Sequence, residues 1–529
     1  MRRIGLLLAV FLVVVSCAST QQRGQALVTR ALQAAGGVDA LAAVKTVSLK
    51  GTVKQWEPEQ SQTPGGEPRY AGESTFTSVT DVAARSTRID WVRNFAYPAP
   101  RTFTFTEIVT PDAGYVAGID SNGRNKQSQE ANPPAHSMSS LRLATAQREL
   151  LRSSLVLLLA MQRNPEAMAA IDDVTVGGVT YSAAQGWTGG QAGIAMFDKS
   201  TGRLVRVRSL DYDNMWGDVT YDLVFSDWQA VSGVQVPMTQ RYELNGRTVQ
   251  ETKLTEVVIN APVAADRFAI PAAVKATAAR PATADIPFQW VLRRQFIGVY
   301  MDSESPSWDS RAASGLRLTE LAPGVNHVVG GTHHSLMVEM KDYVVVFDAP
   351  VSDRQSNLVL SAARAKYLRK PVRYIVLTHH HMDHAGGLRA YVADGATLVV
   401  GKGAAAHYRK ILAAPYSRNP DLTAKDLSGV SIIEVSDKWF LKDDTREVQA
   451  YLLENPHADS TLMGYVPGAQ LGFVTDIWSP GAAPLPARPT PALSAIINGV
   501  KKYGITPTKF AGGHGSTADY APLAALDGK

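Results

Sequence analysis

Four candidate metal ligands within six positions constrain this chain more than any other feature of its sequence. His379, His381, Asp383 and His384 follow directly on the apolar run Val372–Leu377. β-Branched and aromatic residues in such a run predict a buried strand, and the segment after the histidines has helical spacing. We therefore expect the four side chains to lie in a strand-to-helix loop, and one loop of this kind can face two metal ions.

Neutral imidazole nitrogens and carboxylate oxygens are the ligands that zinc and similar divalent ions accept. The order His-x-His-x-Asp-His offers two sets of them, in a chain that has only 11 histidines among 529 residues. The competing interpretation is a solvated histidine-rich loop. The position directly after a buried strand favours a metal site.

The pattern His-x-His-x-Asp-His between a strand and a helix resembles the signature of the metallo-β-lactamase superfamily of metallohydrolases. That superfamily supplies further ligands downstream in the order His, Asp, His. Three residues fit this order: His457 precedes an apolar strand, Asp476 ends another, and His514 lies in a glycine-rich turn. The resemblance covers about Leu316 to Gly515 and implies a C-terminal αββα sandwich, within an α+β chain.

The resemblance also implies which residue binds which ion. Three histidines would hold the first metal: His379, His381 and His457. Three residues would hold the second: Asp383, His384 and His514. Asp476 would bridge the two, which is the ligand set of glyoxalase II-type hydrolases. The expected cofactors are two Zn²⁺ ions per chain, with iron or manganese as alternatives.

The expected reaction is hydrolysis of an ester, thioester, lactone or amide-like bond in a small-molecule substrate. Zinc lowers the pKa of bound water from 15.7 to about 7, so a metal-bound hydroxide is available at neutral pH. Asp383 is the expected catalytic residue, because its carboxylate can orient the hydroxide or move its proton. Relatives with a di-iron redox centre carry Glu where His381 stands, which favours a hydrolase over a redox enzyme. Two alternatives stay open: an iron-dependent redox member, and a ligand-binding carrier lipoprotein whose hydrolase-like domain is supportive.

The remaining histidines and one carboxylate have smaller predicted roles. His333 and His334 are candidates for lining the pocket, whereas His380 and His407 are interpreted as bystanders. His136 and His327 are interpreted as structural residues. Asp348, at a predicted strand end, resembles the carboxylate that supports a ligand in relatives, and a surface turn residue is the competing interpretation.

The start of the chain predicts export and lipidation. Arg2 and Arg3 precede twelve mostly apolar residues, which are too few to span a membrane, and Ser16-Cys17 follows. This resembles a bacterial lipoprotein signal over residues 1–16, with Cys17, the only cysteine, acylated. We expect secretion across the inner membrane and anchoring by lipid, facing the periplasm from the outer membrane. The formal charge falls from +5 to +3 without the two arginines, which argues against a nucleic-acid partner. Oligomeric state is not predicted.

Between the signal and the metal-binding part we expect an antiparallel β-rich domain over 22–271. Alternating strands and turns such as Asn245-Gly246 surround one long helical segment, Ser139 to Gln162, which contains an apolar stretch. A curved half-barrel around that helix is the predicted architecture. An alanine- and proline-rich stretch without apolar periodicity predicts a linker over 272–287. The metallo-β-lactamase-like domain is predicted over 288–529.

Overall fold

The structure is a computed structural model, and it describes residues 20–97, 99–120, 134–164, 168–187, 192–264, 266–276, 287–296, 316–330, 333–419 and 426–528. The predicted signal peptide, Cys17 and most of the predicted linker lie outside these residues. Among the described residues, no helix is both long and apolar enough to cross a membrane.

The described residues form two compact units, and neither is a single stretch of chain. Two short segments, Pro58–Arg69 and Tyr212–Asp218, group with the C-terminal residues rather than with their sequence neighbours. The remaining described residues up to 296 form the N-terminal unit. The C-terminal unit therefore contains two segments that the predicted boundaries, 22–271 and 288–529, assign to the first domain.

The N-terminal unit is built on a large antiparallel sheet. Its strands are β1 Thr46–Glu57, β2 Arg69–Asp81, β3 Ser86–Phe95, β4 Arg101–Val109, β5 Gly114–Gly118, β6 Ala135–Ser137, β7 Met168–Val176, β8 Val179–Trp187, β9 Ala192–Phe197, β10 Leu204–Asp213, β11 Gly217–Val231, β12 Val234–Leu244 and β13 Arg247–Ile259. Its helices are α1 (20–34), α2 Val38–Ala42, α3 Ser140–Arg152, α4 Leu157–Gln162, α5 Ala272–Lys275 and α6 Phe288–Phe296.

Neighbouring strands in the chain are mostly neighbours in the sheet, which confirms the predicted antiparallel hairpins. The order is β6-β5-β4-β3-β2-β1-β13-β12-β11-β10-β9-β8-β7. The turn between β12 and β13 places Asn245 at φ 48° and Gly246 at φ 79°. Positive φ at both central residues matches the right-handed twist of the flanking strands, so Asn-Gly suits this hairpin.

The predicted long helix, Ser139 to Gln162, is wrong as one element. It breaks into α3 and α4 because serines in the intervening turn bond to nearby backbone groups instead of continuing the helix. Ser153 Oγ donates to Glu149 O, and Val156 N donates to Ser154 Oγ. The apolar stretch in α4 is buried as expected, with Met161 fully inaccessible.

Helix α3 is tied to strands from both halves of the sheet. Arg142 bonds to Glu107 on β4 and to Asp120, each at 2.6 Å, and all three side chains are buried. At the other end, Arg152 donates to the carbonyl oxygens of Val207 and Tyr221, on β10 and β11. These bonds satisfy charges that would otherwise be costly to bury, and they hold α3 against the sheet.

The C-terminal unit contains two sheets. The first has strands β14 Arg317–Ala322, β15 Val325–Val329, β16 Ser335–Glu339, β17 Val344–Phe347, β18 Val372–Val376, β19 Thr397–Gly401 and β20 Ile432–Val435, in sequence order. The second has β21 Lys438–Lys442, β22 Glu447–Leu453, β23 Thr461–Val466, β24 Leu471–Val474, β25 Lys509–Gly512 and β26 Thr517–Asp519. The helices are α7 Asp353–Lys366, α8 Met382–Ala385, α9 Leu388–Ala393, α10 Ala405–Leu412, α11 Pro491–Tyr503 and α12 Ala521–Ala524, with short 3₁₀ turns at Pro58–Gln60 and Pro467–Ala469.

The two sheets pack face to face and helices cover their outer faces. The shared core joins Val345 and Phe347 of the first sheet to Leu462 and Phe473 of the second. On the outer face of the second sheet, α11 contributes Ile496 and its apolar neighbours to a separate core. Helix α9 lies against β18 and α7 on the first sheet. This is the predicted αββα sandwich, and each sheet contains parallel strands, among them the pairs β17–β18 and β24–β25.

Candidate metal centre

The candidate ligands lie in loops beyond the ends of the central strands. Asp348 follows β17, the histidine-rich loop follows β18, Asp476 follows β24 and His514 follows β25. Since β17–β18 and β24–β25 are parallel pairs, their carboxyl ends meet at one edge of each sheet. His457 lies just before β23. The fold therefore gathers residues that are up to 181 positions apart, from His333 to His514.

One group of four side chains can hold a metal ion: His379, His381, His457 and Asp476. His457 Nε2 lies 3.3 Å from His379 Nε2 and 3.0 Å from His381 Nδ1. Asp476 Oδ2 lies 3.0 Å from His379 Nε2 and 3.1 Å from His457 Nε2. Separations of this size are those of donor atoms that converge on one point.

A second group of four adjoins the first: His333, Asp383, His384 and His514. His384 Nε2 lies 3.2 Å from His514 Nε2, and His333 Nε2 lies 3.4 Å from Asp383 Oδ2. Asp476 faces both groups, because its Oδ1 lies 2.7 Å from His514 Nε2 while its Oδ2 faces the first group.

The outward nitrogen of several histidines is held by a fixed partner. His384 Nδ1 lies 2.9 Å from Asp348 Oδ2, and Asp348 is fully buried. His379 Nδ1 lies 3.2 Å from Thr378 Oγ1 and 3.3 Å from Thr475 Oγ1. Such contacts fix the ring orientation and decide which nitrogen faces inward.

The charges of the two groups are strongly coupled. Burial opposes ionisation of Asp476, but His384, His514 and His457 outweigh it and hold the pKa of that carboxyl well below its usual value. Burial also opposes a charge on His384, yet Asp476, Asp348 and Asp383 raise its pKa well above the ordinary value.

Burial is the largest influence on two other histidines. It lowers the pKa of His379 to about 3 and that of His333 to about 4, in each case against the nearby carboxylate. Both imidazoles are therefore neutral near pH 7, and the neutral ring is the form that binds a metal ion.

The donor set fits divalent metal ions better than it fits a hydrogen-bonded cluster. Asp476 Oδ2 is buried and has three imidazole nitrogens at 3.0 to 3.2 Å, from His379, His457 and His384. Within the described residues, none of them donates to this oxygen in a hydrogen-bonding geometry. A buried carboxylate oxygen that is surrounded by imidazole nitrogens is a suitable ligand environment for a cation that binds nitrogen and oxygen atoms.

The backbone around the centre adopts unusual conformations. Asp348 and Asp476 have φ of 63° and 56°, a region that residues other than glycine rarely occupy. A Cβ on Gly513 would lie 2.2 Å from Thr475 Cγ2 and 3.2 Å from His384 Cε1. Gly513 therefore allows the chain after β25 to approach Thr475 and His384 more closely than a residue with a Cβ could.

The structure brings all seven predicted ligands together and adds an eighth side chain. His333, expected only to line the pocket, is one of the second group of four. Its neighbour His334 packs edge-on against His327 with ring centroids 5.0 Å apart. For His333, the sequence signal was its position next to a strand end, but histidines at strand ends are commonly solvated.

The structure also shows where the remaining residues with predicted roles lie. Asp348 is buried against His384, so the surface-turn interpretation is wrong. His380 and His407 lie in neither group and are both buried; their rings are 5.9 Å apart. His327 Nε2 donates to Gly512 O at 2.8 Å.

Two residues at the centre were missed by sequence reasoning. Gln60 Nε2 donates to Asp383 Oδ1 at 2.7 Å, and Ser61 O accepts from His381 Nε2 at 2.9 Å. Both belong to the Pro58–Arg69 segment of the C-terminal unit. They precede the histidine loop by more than 300 positions, and nothing in their local sequence marks them.

Residues 328–477 match the sequence model of the family described as Metallo-beta-lactamase superfamily. The chain thus contains a metallo-β-lactamase domain, and the first six of the seven predicted ligands lie inside the matched region. A search of curated proteins finds no match to the chain.

Several solved structures are similar to part of the chain. A metallo-β-lactamase from Pontibacter korlensis is 18% identical with a TM-score of 0.31, and the match covers 40% of this chain and 98% of that one. A stereoselective inverting sec-alkylsulfatase from Pseudomonas sp. is 17% identical with a TM-score of 0.31, covering 42% of each chain. A metallo-β-lactamase from Hirschia baltica is 16% identical with a TM-score of 0.31, covering 40% of this chain and 95% of the other.

Proposed function

We propose that this protein is a dinuclear zinc hydrolase that cleaves an ester, thioester, lactone or amide-like bond in a small molecule. The observation that carries the proposal is the pair of four-residue groups that meet at Asp476. One such group would be compatible with a single structural ion. Two adjoining groups support a pair of ions, because the Asp476 carboxylate contacts both: Oδ2 lies near His379 and His457 of the first group and His384 of the second, and Oδ1 lies near His514 of the second.

The donor types support zinc. Together the two groups offer six imidazoles and two carboxylates. Imidazole suits zinc, copper, iron and nickel, whereas calcium and magnesium prefer oxygen-only sites. The only cysteine of the chain is Cys17, so no thiolate accompanies Asp476. Iron or manganese in the same groups is the alternative that metal analysis separates.

The proposed first site consists of His379, His381, His457 and Asp476. The proposed second site consists of His333, Asp383, His384 and His514, with Asp476 shared. Two bound zinc ions would supply Lewis acidity and lower the pKa of water toward neutrality. The chain's own contribution is to keep His379 and His333 neutral and the carboxylates of Asp476 and Asp383 ionised, the forms that bind a metal ion, and to fix the orientation of the ligands.

Asp383 is the proposed catalytic carboxylate. Its Oδ2 faces the second group, at 3.4 Å from His333 Nε2 and 3.8 Å from His384 Nε2. An ionised carboxylate at this position would accept a hydrogen bond from an attacking water and orient that water. Burial opposes its ionisation, but the hydrogen bond from His333 and the charge of His384 keep the pKa of Asp383 well below the usual value, so it is ionised near neutral pH.

The experiment is a hydrolysis screen with full-length protein in mild detergent against thioesters, lactones, carboxylic esters, phosphodiesters and β-lactams. We expect turnover of one ester-like class, its loss after treatment with a chelator, and its return with zinc. Asp476→Asn should lower kcat/KM by at least about 100-fold, since even outer contacts of a metal site cost 10 to 100-fold. Asp444→Asn, at an 84% exposed carboxylate, is the matched control and should change nothing. A preparation that holds two zinc ions per chain and hydrolyses none of these classes would refute the proposal.

We also propose that the protein acts in the cell envelope, anchored by lipid on Cys17. The support is the arginine pair, the short apolar run and the small residue before a lone cysteine. Several acyl chains on one cysteine bind a membrane stably, whereas one chain binds only marginally. Wild-type protein from a bacterial host should partition into detergent, and Cys17→Ser should move it to the aqueous phase. Equal partitioning of the two proteins would contradict the anchor.

A further inference from the structure

The segment Pro58–Arg69 places a buried amide against the proposed catalytic carboxylate. Gln60 is 6% exposed, and its Nε2 donates to Asp383 Oδ1 at 2.7 Å. The second carboxylate oxygen, Oδ2, is the one that faces His333 and His384. The two oxygens of Asp383 are thus in different surroundings, one held by an amide and the other in the second group of metal-binding side chains.

The same segment acts on the first group through its backbone. Ser61 O accepts hydrogen bonds from His380 Nε2 and His381 Nε2, each at 2.9 Å. A carbonyl oxygen only accepts, so His381 carries its proton on Nε2 when neutral. Its Nδ1 is then the nitrogen with a lone pair, and this atom lies 3.0 Å from His457 Nε2. The carbonyl therefore selects the tautomer in which His381 can bind a metal ion through Nδ1.

We propose that Gln60 and the Ser61 carbonyl are positioning groups of the metal centre, supplied from outside the matched residues 328–477. Gln60 holds Oδ1 of Asp383 and leaves Oδ2 as the single ligand atom, so Asp383 binds the second ion through one oxygen. Ser61 O holds the ring of His381 for the first ion. This inference rests on the proposed function, because it assigns these contacts to a site that binds two ions.

The expected size of the effect follows from hydrogen bonds of this kind elsewhere. Changing the outer partner of a metal ligand lowers metal affinity by about 10 to 100-fold. Gln60→Met keeps the length of the side chain but removes the donor, so it tests the hydrogen bond with little change in packing. The released Oδ1 would then let the carboxylate rotate or bind through both oxygens.

The test measures zinc affinity of each site by competition with a chromophoric chelator, and the visible spectrum of the cobalt-substituted protein. For Gln60→Met we expect one zinc affinity to fall by about 10 to 100-fold, the other to stay within about threefold, and the cobalt bands to shift. Gln229→Met is the matched control: Gln229 is exposed on β11 and belongs to neither group, so the affinities of this variant should equal those of the wild type.

The outcomes separate this inference from the proposed function. If the wild-type chain binds two zinc ions and Gln60→Met behaves like Gln229→Met in both affinity and spectrum, the positioning role is refuted and the proposed function stands. If the wild-type chain binds no metal, the proposed function fails first. The metal-free form of Gln60→Met should unfold at the same temperature as metal-free wild type. A large loss of stability in that form would show that Gln60 supports the fold rather than the ligand, and would also overturn the inference.

Discussion

Replacing Asp348 by asparagine tests how the buried carboxylate beneath the centre controls a ligand. Asp348 Oδ1 accepts from Thr378 N at 2.7 Å, and Oδ2 lies 2.9 Å from both Thr378 Oγ1 and His384 Nδ1. The asparagine side chain would have the same shape, and its carbonyl oxygen would keep the bond from Thr378 N. Its amide nitrogen would then face His384 Nδ1, and a donor there requires Nδ1 to be an acceptor.

The consequence is a change of tautomer in His384. With Nδ1 as the acceptor, the proton of the neutral ring moves to Nε2, the nitrogen that lies 3.2 Å from both His514 Nε2 and Asp476 Oδ2. A protonated nitrogen cannot bind a metal ion. A hydrogen bond to a charged group contributes about 1.5 to 3 kcal/mol, which corresponds to about a 10 to 150-fold change in an equilibrium constant. We therefore expect the zinc affinity of the second site to fall by about 10 to 100-fold, the range for outer partners of metal ligands.

The assay is a competitive zinc titration that resolves both sites, with Asp444→Asn as the control at an exposed carboxylate. We expect only the zinc affinity of the second site to fall. The affinity of the first site, which contains His379, should stay within about threefold of wild type. Equal zinc affinities for Asp348→Asn and wild type at both sites would refute it. A parallel loss at both sites would show that Asp348 stabilises the whole loop rather than one tautomer.

Three further changes test other parts of the structure. Gly513→Ala places a Cβ 2.2 Å from Thr475 and should lower both the unfolding free energy, by about 1 to 3 kcal/mol, and the zinc affinity. Gly468→Ala is the control, because the space around Gly468 is open, and it should leave stability in chemical denaturation unchanged. Equal stabilities of the two variants would contradict the close approach at Gly513. Arg142→Met removes the cation that bonds to two buried carboxylates, Glu107 and Asp120, and should destabilise the N-terminal unit by about 3 to 5 kcal/mol in urea. A loss under about 1 kcal/mol would contradict the contribution of these two ion pairs. Burial raises the pKa of Asp353 to about 7, above the unfolded value of about 3.9, so the folded state binds more protons between these values and stability falls as pH rises through that window. Asp353→Asn should remove up to about 3 kcal/mol of that fall in unfolding of the metal-free protein between pH 5 and 8, and parallel pH curves for the two proteins would contradict it.

The metal-binding loop could be predicted from sequence because its signal is local. His379, His381, Asp383 and His384 occupy one short stretch after a strand, so their joint placement needs no knowledge of the rest of the fold. His457, Asp476 and His514 depend on the fold, and the resemblance to a known family supplied their order. Asp348 was predicted either to support a metal ligand or to lie in a surface turn. Its burial in the structure excludes the surface turn.

The contacts of Gln60 and Ser61 could not be predicted for a physical reason. They arise because the Pro58–Arg69 segment packs into the C-terminal unit, and no periodicity or composition in that segment differs from an ordinary loop. His333 was placed only near the pocket, since the sequence does not show how far its side chain reaches toward Asp383. The break between α3 and α4 was missed because the apolar pattern continues through it, while the serines that end α3 act through hydrogen bonds.

In the N-terminal sheet, local hairpins were predicted and pairing between distant strands was not. Hairpin turns and alternating residues predicted its antiparallel strands, including the turn at Asn245-Gly246. A large sheet was predicted but the number of its strands was not, because that number depends on pairing between distant segments such as β1 and β13. The curvature of a half-barrel stays a prediction.

Anomalous diffraction at the zinc absorption edge, from crystals of the full chain grown with zinc, tests the central claim most directly. Two peaks about 3.5 to 4 Å apart are expected, one among His379, His381, His457 and Asp476 and the other among His333, Asp383, His384 and His514. Two peaks in these places would establish the dinuclear centre from its ligands. A single peak, or none, in crystals that contain excess zinc would contradict the account.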